Sequence, residues 1–224
     1  TPDVLTFAGG LATTGNTSGN PSLVNAAGTI KTTGTQMDIG AVTLTAATTF
    51  DTGDAELGVM NIGAVTSGGF GLTLDSGSNA DGGEMTLVSM VDGRGGLTIR
   101  DAGGGAAASI GAIGASTSTD GVITITDSSG GVTFTGNVDA TTLTITDTTD
   151  TKVITFAQGG DVDIATSFDT ANQGYAVTIN SSTFDAAGDT DFLNTGTVIL
   201  GNTAGSTPDV LTFAGGLATT GNTS

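Results

Sequence analysis

The chain has 224 residues, no histidine and no cysteine, and 22 acidic residues against Lys31, Arg94, Arg100 and Lys152, for a formal net charge of −18. That balance argues against nucleic acid or an anionic membrane surface as a partner, since both require a basic footprint. The missing residue types remove imidazole acid–base catalysis, His-based and Cys-based nucleophiles and thiolate metal sites, and leave only carboxylates and hydroxyls for chemistry. With 37% hydrophobic residues and a mean hydropathy of +0.20, the chain can still bury a core. No apolar run approaches the ~18–20 residues that span a bilayer, so no membrane insertion is expected in this stretch.

The opening segment, Thr1–Ser18, reads TPDVLTFAGGLATTGNTS, and the same residues return unchanged at Thr207–Ser224. An identity of that length marks a tandem duplication. Residues 1–206 are therefore read as one full repeat unit, and residues 207–224 as the start of the next. On this reading Leu5 and Leu211 should occupy equivalent places, as should Phe7 and Phe213, with the two copies well apart along one axis.

Between the copies, apolar residues alternate with threonine: Val42-Thr43-Leu44, Leu97-Thr98-Ile99, Val122-Ile123-Thr124-Ile125 and Leu143-Thr144-Ile145. A period of two in Thr, Val, Leu and Ile, punctuated by Gly, Asp, Asn and Ser, is the signature of short strands and turns. No stretch shows helical periodicity, and β-branched residues and glycine both disfavour helix. Strand ends recur at Ile30, Phe50, Leu74, Ile99 and Ile125, each followed by a polar turn that leads to Gly, and continue less regularly through Ile145, Phe168, Phe192 and Phe213. A second series runs through Leu44, Val65, Leu87, Ile110, Phe134, Phe156, Ile179 and Ile199. Both series step by about 23 residues, so that about nine steps fill a repeat. The pattern predicts an all-β chain wound as a parallel β-helix, right-handed because parallel crossovers are. Leu44, Leu87, Phe134, Phe156, Ile179 and Ile199 are expected to point inward, and the phenylalanines to form a core stack.

Three motifs carry a resemblance: Ile-Gly-Ala-Val-Thr at Ile39–Thr43 and Ile62–Thr66, Thr-Phe-Ala-Gly-Gly at Thr6–Gly10, and Asn-Thr-Gly-Thr-Val-Ile-Leu-Gly at Asn194–Gly201. In these and in its repeat rhythm the chain resembles giant bacterial β-strand-repeat surface proteins, related to filamentous haemagglutinins and autotransporter passengers. The resemblance implies an exported, elongated β-helix on a cell surface or in an extracellular fibre, and brings no catalytic residue with it.

Carboxylates supply the remaining candidates. Asp51, Asp75, Asp101, Asp127, Asp147 and Asp169 each follow a strand-ending apolar residue by one or two positions, and so are expected to line one corner of six successive coils. At a spacing of ~4.8 Å their repulsion must be relieved, either by turn capping into water or by calcium (Ca2+) bridging between rungs. The Gly-Gly-Asp-Val-Asp run at Gly159–Asp163 resembles a calcium-binding repeat in a single partial copy. The pairs Asp161/Asp163, Asp189/Asp191 and Asp147/Asp150 are the candidates for carboxylate catalysis, with few aromatics to hold a sugar, and the chain is read as not an enzyme. The expected function is structural: a repeat of an extracellular or cell-surface solenoid fibre, whose partners are further copies of itself. The alternative is an adhesin that recognises glycan or a surface through a lateral face.

Overall fold

The computed structural model describes residues 3–15, 19–54, 58–77, 83–103, 106–114, 120–202 and 208–219. The outermost residues of both eighteen-residue copies, and those joining 202 to 208, lie outside these. The described residues form 21 strands and no helix. Most strands are short because an alternating run such as Leu-Thr-Ile is soon met by Gly, Asp or Ser, which turn the chain.

All strand pairings are parallel, and they sort into three faces visited in strict rotation. The first face stacks β1 (Val4–Phe7), β3 (Val24–Thr32), β5 (Val42–Asp51), β7 (Leu72–Asp75), β9 (Leu97–Arg100), β11 (Val122–Ile125), β13 (Val138–Ile145), β15 (Asp161–Thr170), β18 (Asp189–Asp191) and β21 (Leu217–Ala218). The second stacks β2 (Leu11–Ala12), β4 (Met37–Ile39), β6 (Met60–Thr66), β8 (Met85–Val91), β10 (Ala108–Ile113), β12 (Val132–Phe134), β14 (Val153–Phe156), β16 (Ala176–Ile179) and β19 (Val198–Leu200). The third stacks the other halves of β3, β5, β6, β8, β10, β13 and β15, followed by β17 (Thr183–Ala186) and β20 (Val210–Phe213). The result is a β-solenoid with coils about 24 residues apart.

Seven strands round a corner and serve two faces. In β3 and β13 this shifts the register, between Ala26 and Gly28 and between Ala140 and Thr142. Gly28 makes the first of these bends at a φ of +71°, with no room for a side chain, because a Cβ there would stand 2.5 Å from the Asp3 carbonyl oxygen.

Inside, equivalent residues form columns. Ile30, Phe50, Leu74, Ile99, Ile125 and Ile145 are successive partners on the first face and all are buried. On the second face Met37, Met60 and Met85 stack in register, beside the column Ile39, Ile62, Leu87, Ile110, Phe134, Phe156 and Ile179. The core thus changes character along the axis, thioether-rich early and aromatic late. Phe134 and Phe156 lie face to face at 5.1 Å, and Phe168, Phe184 and Phe192 join them edge-on at 5.4–5.9 Å.

The corner after the first face is lined by buried hydroxyls. The Ser76 hydroxyl donates to the Gly83 and Asp101 carbonyls at 2.9 and 3.1 Å. That of Ser128 donates to Ala102 and Gly131 at 2.8 and 2.9 Å, and that of Thr148 to the Ser128 carbonyl. Later coils solve the same problem with Tyr175, whose hydroxyl donates to the Ile145 carbonyl at 3.0 Å and accepts the Ala171 amide at 2.9 Å. Burial pushes the Tyr175 hydroxyl up to about 12, so it remains a donor at any ordinary pH.

Three expectations need correction. Ile199 is 47% exposed, because it pairs with Thr178 in the outward column while Val198 and Leu200 continue the inward ones. The second series mixes faces, since Leu44 and Val65 lie on the third face whereas Leu87 onward lie on the second. The first series slips at Phe168, which pairs with Leu143, while Ile145 pairs with Thr170. Ile199 is off by one residue, the second series by one face and Phe168 by two residues, because alternation alone fixes neither the register nor the face.

The repeat copies also differ from expectation. Val4–Phe7 pairs on the first face with β3, whereas its duplicate Val210–Phe213 pairs on the third face with β17. Leu11–Ala12 lies on the second face and its duplicate Leu217–Ala218 on the first. The copies are far apart along the axis, as a solenoid requires, but one face out of phase. The cause is the count of strand segments, 28 over three faces, of which β1 is the first and β20 the twenty-seventh.

Two substitutions test this packing. Phe134→Ala removes a ring that is 0% exposed and should cost about 3–5 kcal/mol, read as a lower urea midpoint. Gly111→Ala would place a Cβ 1.8 Å from the Val88 carbonyl of the neighbouring coil and should cost about 1–3 kcal/mol, although alanine is otherwise harmless in a strand. A Gly111→Ala chain as stable as the parent would contradict the stacking of β8 on β10.

Candidate functional site

The six predicted corner aspartates separate into three groups. Asp51 and Asp75 are direct register partners, flanked along the same column by Lys31 and Arg100. The Lys31 ammonium lies 2.8 Å from an Asp51 oxygen and the Arg100 guanidinium 3.5 Å from Asp75, so two cations bracket two carboxylates. Asp51 also accepts the Gly53 amide at 2.6 Å, a turn cap of the expected kind. The Asp51 carboxylate raises the Lys31 ammonium's affinity for its proton, mainly through their hydrogen bond.

Asp101, Asp127 and Asp147 form a second group one position further on, and Asp127 feels both of the others. Its carboxyl is pushed up first by burial and then by those two charges. Asp169 belongs to neither group: it pairs with Thr144 and Asp191 on the flat of the first face. Among the described residues no three carboxylates converge as a metal ion requires. The expected six-rung corner is thus interrupted by Arg100 and by the two-residue slip at β15.

A carboxylate column that the sequence reading missed runs up the third face: Asp139, Asp163 and Asp185 are successive register partners pointing outward. Its signal was present in Val138-Asp139-Ala140, Val162-Asp163-Ile164 and Phe184-Asp185-Ala186, where Asp stands between inward apolar residues in three successive coils. Beside it, Asp161 accepts the Thr183 hydroxyl at 2.7 Å. Asp161 and Asp163 are therefore outward neighbours along one strand, opposite other polar residues, and do not face each other across a cleft. Asp150 caps the Gly174 amide at 2.9 Å.

Among the described residues Asp120 is the most buried carboxyl, at 2% exposure. Among the described residues neither oxygen has a well-aligned hydrogen-bond donor, and the nearby Gly93 amide offsets this only in part. Burial, reinforced by Asp139 and Asp92, pushes it up to about 6. Asp75 is likewise pushed up to about 6, by burial first and then by Asp51 and Asp101.

A groove of about 370 Å³ runs along the first face. It is lined mostly by glycines and threonines, Gly28, Gly71, Gly95 and Gly96 beside the column Thr29, Thr49, Thr73, Thr98 and Thr124, with Ala47, Leu72 and Val122 among them and no carboxylate. The threonines form one outward column at the strand spacing. Two positions further on the column is Lys31, Asp51, Asp75 and Arg100, so on this stretch the face carries a single threonine column.

The most distinctive surfaces are the end coils. Val4, Leu5 and Phe7 are 64%, 49% and 37% exposed, and Ile199, Leu200, Val210 and Leu217 are 40–59% exposed; of these, Leu5, Phe7, Leu200 and Leu217 stand in inward columns whose next members, Ile30, Thr32, Ile179 and Thr190, are buried. These are strand edges with unpaired amides and carbonyls, backed by apolar side chains of core type.

The raised carboxyls give a pH dependence with a definite sign. The folded chain holds protons at Asp75 and Asp120 up to pH about 6, where an unfolded aspartate has released them above 3.8. Their contribution to stability is fully present below 3.8 and is lost as pH rises through 6. The melting temperature should therefore rise between pH 7.5 and pH 5. General repulsion among acids acts in the same direction, so Asp120→Asn isolates the site: it should melt higher at pH 7.5 and show a shallower pH slope. An unchanged slope would remove Asp120 from the explanation. In comparisons with known proteins, no family model, no curated sequence and no solved structure matched the chain.

Proposed function

We propose that the chain is a structural repeat of a long acidic β-solenoid fibre or stalk, displayed on a cell surface or released outside it. The observation that carries this reading is the placement of the duplicated segment. Val210–Phe213 and Leu217–Ala218 do not fold back on their originals; they continue the ladders of β17 and β18 in register. The start of a second repeat is thus already the next layer of the first. Its work is mechanical: each coil supplies the hydrogen-bond edge and the apolar floor for the following one, and no coil is stable alone.

The adhesin reading has one candidate surface, the threonine–glycine groove on the first face. It is shallow and lined by no aromatic side chain, which favours the fibre. Calcium and export both stay with the fibre reading, calcium as a counterion for its carboxylate columns.

Chains of one, two and three repeats test the proposal. Each added repeat of 206 residues should lengthen the particle by roughly 42 Å, at ~4.8 Å per coil, in small-angle scattering. Melting temperature should rise with repeat number as exposed ends become a smaller share. Particles that grow in width, or repeats that melt independently, would exclude a continuous fibre.

A further inference from the structure

The two copies of the eighteen-residue segment show the same strand from opposite sides. At the start of the chain Val4–Phe7 has its following neighbour, β3, in the register Val4 to Thr29, Leu5 to Ile30, Thr6 to Lys31 and Phe7 to Thr32. At the end, the identical Val210–Phe213 has its preceding neighbour, β17, in the register Thr183 to Val210, Phe184 to Leu211, Asp185 to Thr212 and Ala186 to Phe213. The two pairings use opposite edges of the strand, so one strand can hold both at once.

We infer that the edge formed by Val210–Phe213 and Leu217–Ala218 is the docking surface for residues 29–32 and 37–39 of a second copy of this repeat. The junction turns each repeat by one face relative to the one before it. This inference rests on the fibre reading and adds to it the register and the phase.

The side chains at such a junction are compatible. The inward column would run Phe184, Leu211, then Ile30 of the second copy, apolar throughout. The outward column would run Asp185, Thr212, then Lys31 of the second copy, with acid and base on either side of a hydroxyl. On the neighbouring face Thr190 and Leu217 would be followed by Met37 of the second copy. The open backbone amides and carbonyls of the Val210 and Leu217 edge would gain the strand partners that Val4 and Leu11 already have here in β3 and β4.

The phase follows from counting. Every segment up to β18 pairs with the third segment after it, and β20 is the twenty-sixth segment after β1. Because 26 is not a multiple of three, a second copy begins on the third face where the first began on the first face. Three repeats, with 26 complete coils between them, restore the starting phase. Any lateral feature, such as the Asp139–Asp163–Asp185 column, is then carried around all three faces along an array. A fibre built this way has no single specialised side.

The test is a two-repeat chain, residues 1–206 followed by residues 1–224, carrying one cysteine pair at a time. The parent has no cysteine, so an introduced pair is the only source of thiols. Direct partners on adjacent parallel strands lie ~4.8 Å apart, within disulfide reach. The inference expects two pairs to oxidise and lose both free thiols: Asp185→Cys with Thr212→Cys, and Thr212→Cys with cysteine at Lys31 of the second copy. A restart on the same face would instead set Val210 in the outward column of Asp191. Closure of Asp191→Cys with Val210→Cys, or failure of either expected pair in a chain with parent-like circular dichroism, overturns the phase. If no pair joining the first copy to residues 208–219 closes, and the two-repeat chain melts at the single-repeat temperature, the fibre reading itself fails.

Discussion

Between the two ends of the described chain, every strand segment hydrogen-bonds to the segment three before it and the segment three after it, always in parallel and nearly always in register. This rule of threes governs the rest. It fixes the number of faces, brings like residues into columns, and makes each coil both a product of the previous coil and a template for the next. Because contacts run only between neighbouring coils, stability accumulates along the axis, and the ends are its weakest places. The exposed apolar residues of β1 and of β19 to β21 are the visible sign.

Columns concentrate both benefit and difficulty. An apolar residue repeated in register gives a continuous buried stack, as in the methionine and phenylalanine columns. A turn repeated in register would bury a row of unpaired carbonyls, and the hydroxyls of Ser76, Ser128 and Thr148, then Tyr175, meet that need. A charge repeated in register would repel itself. Around Asp51 and Asp75 the chain answers with Lys31 and Arg100.

Much of this was legible in the residues. The alternation of Thr with Leu, Ile and Val gave strands, the loose period gave coils, and the six-residue column from Ile30 to Ile145 followed directly from aligned turns. What was hidden is the difference between neighbouring positions of equal chemistry. Val198, Ile199 and Leu200 are all apolar, and only pairing with Val177, Thr178 and Ile179 decides which of them face in. The corner aspartates failed as one ladder for a similar reason: a turn longer by one residue moves Asp101 past Asp75 without altering the motif. The column Asp139, Asp163 and Asp185 lies in mid-strand, where no turn marks it. The phase of the duplicated segment depends on a count of segments modulo three, which no local motif carries.

The steep stacking also sets how the molecule meets its surroundings as a charged object. A net charge of −18 falls along roughly 45 Å of axis at ~4.8 Å per coil, about one negative charge every 2.5 Å. Double-stranded DNA carries one every ~1.7 Å and gathers a condensed layer of cations as a result. A fibre of these coils is a polyelectrolyte of the same order. Cations, divalent ones above all, would crowd along it without needing a shaped site. Parallel fibres would repel one another once they approach within about the ~8 Å screening length of physiological salt, while the apolar strand edges at their ends offer a way to join. Growth in length and resistance to bundling then have one cause.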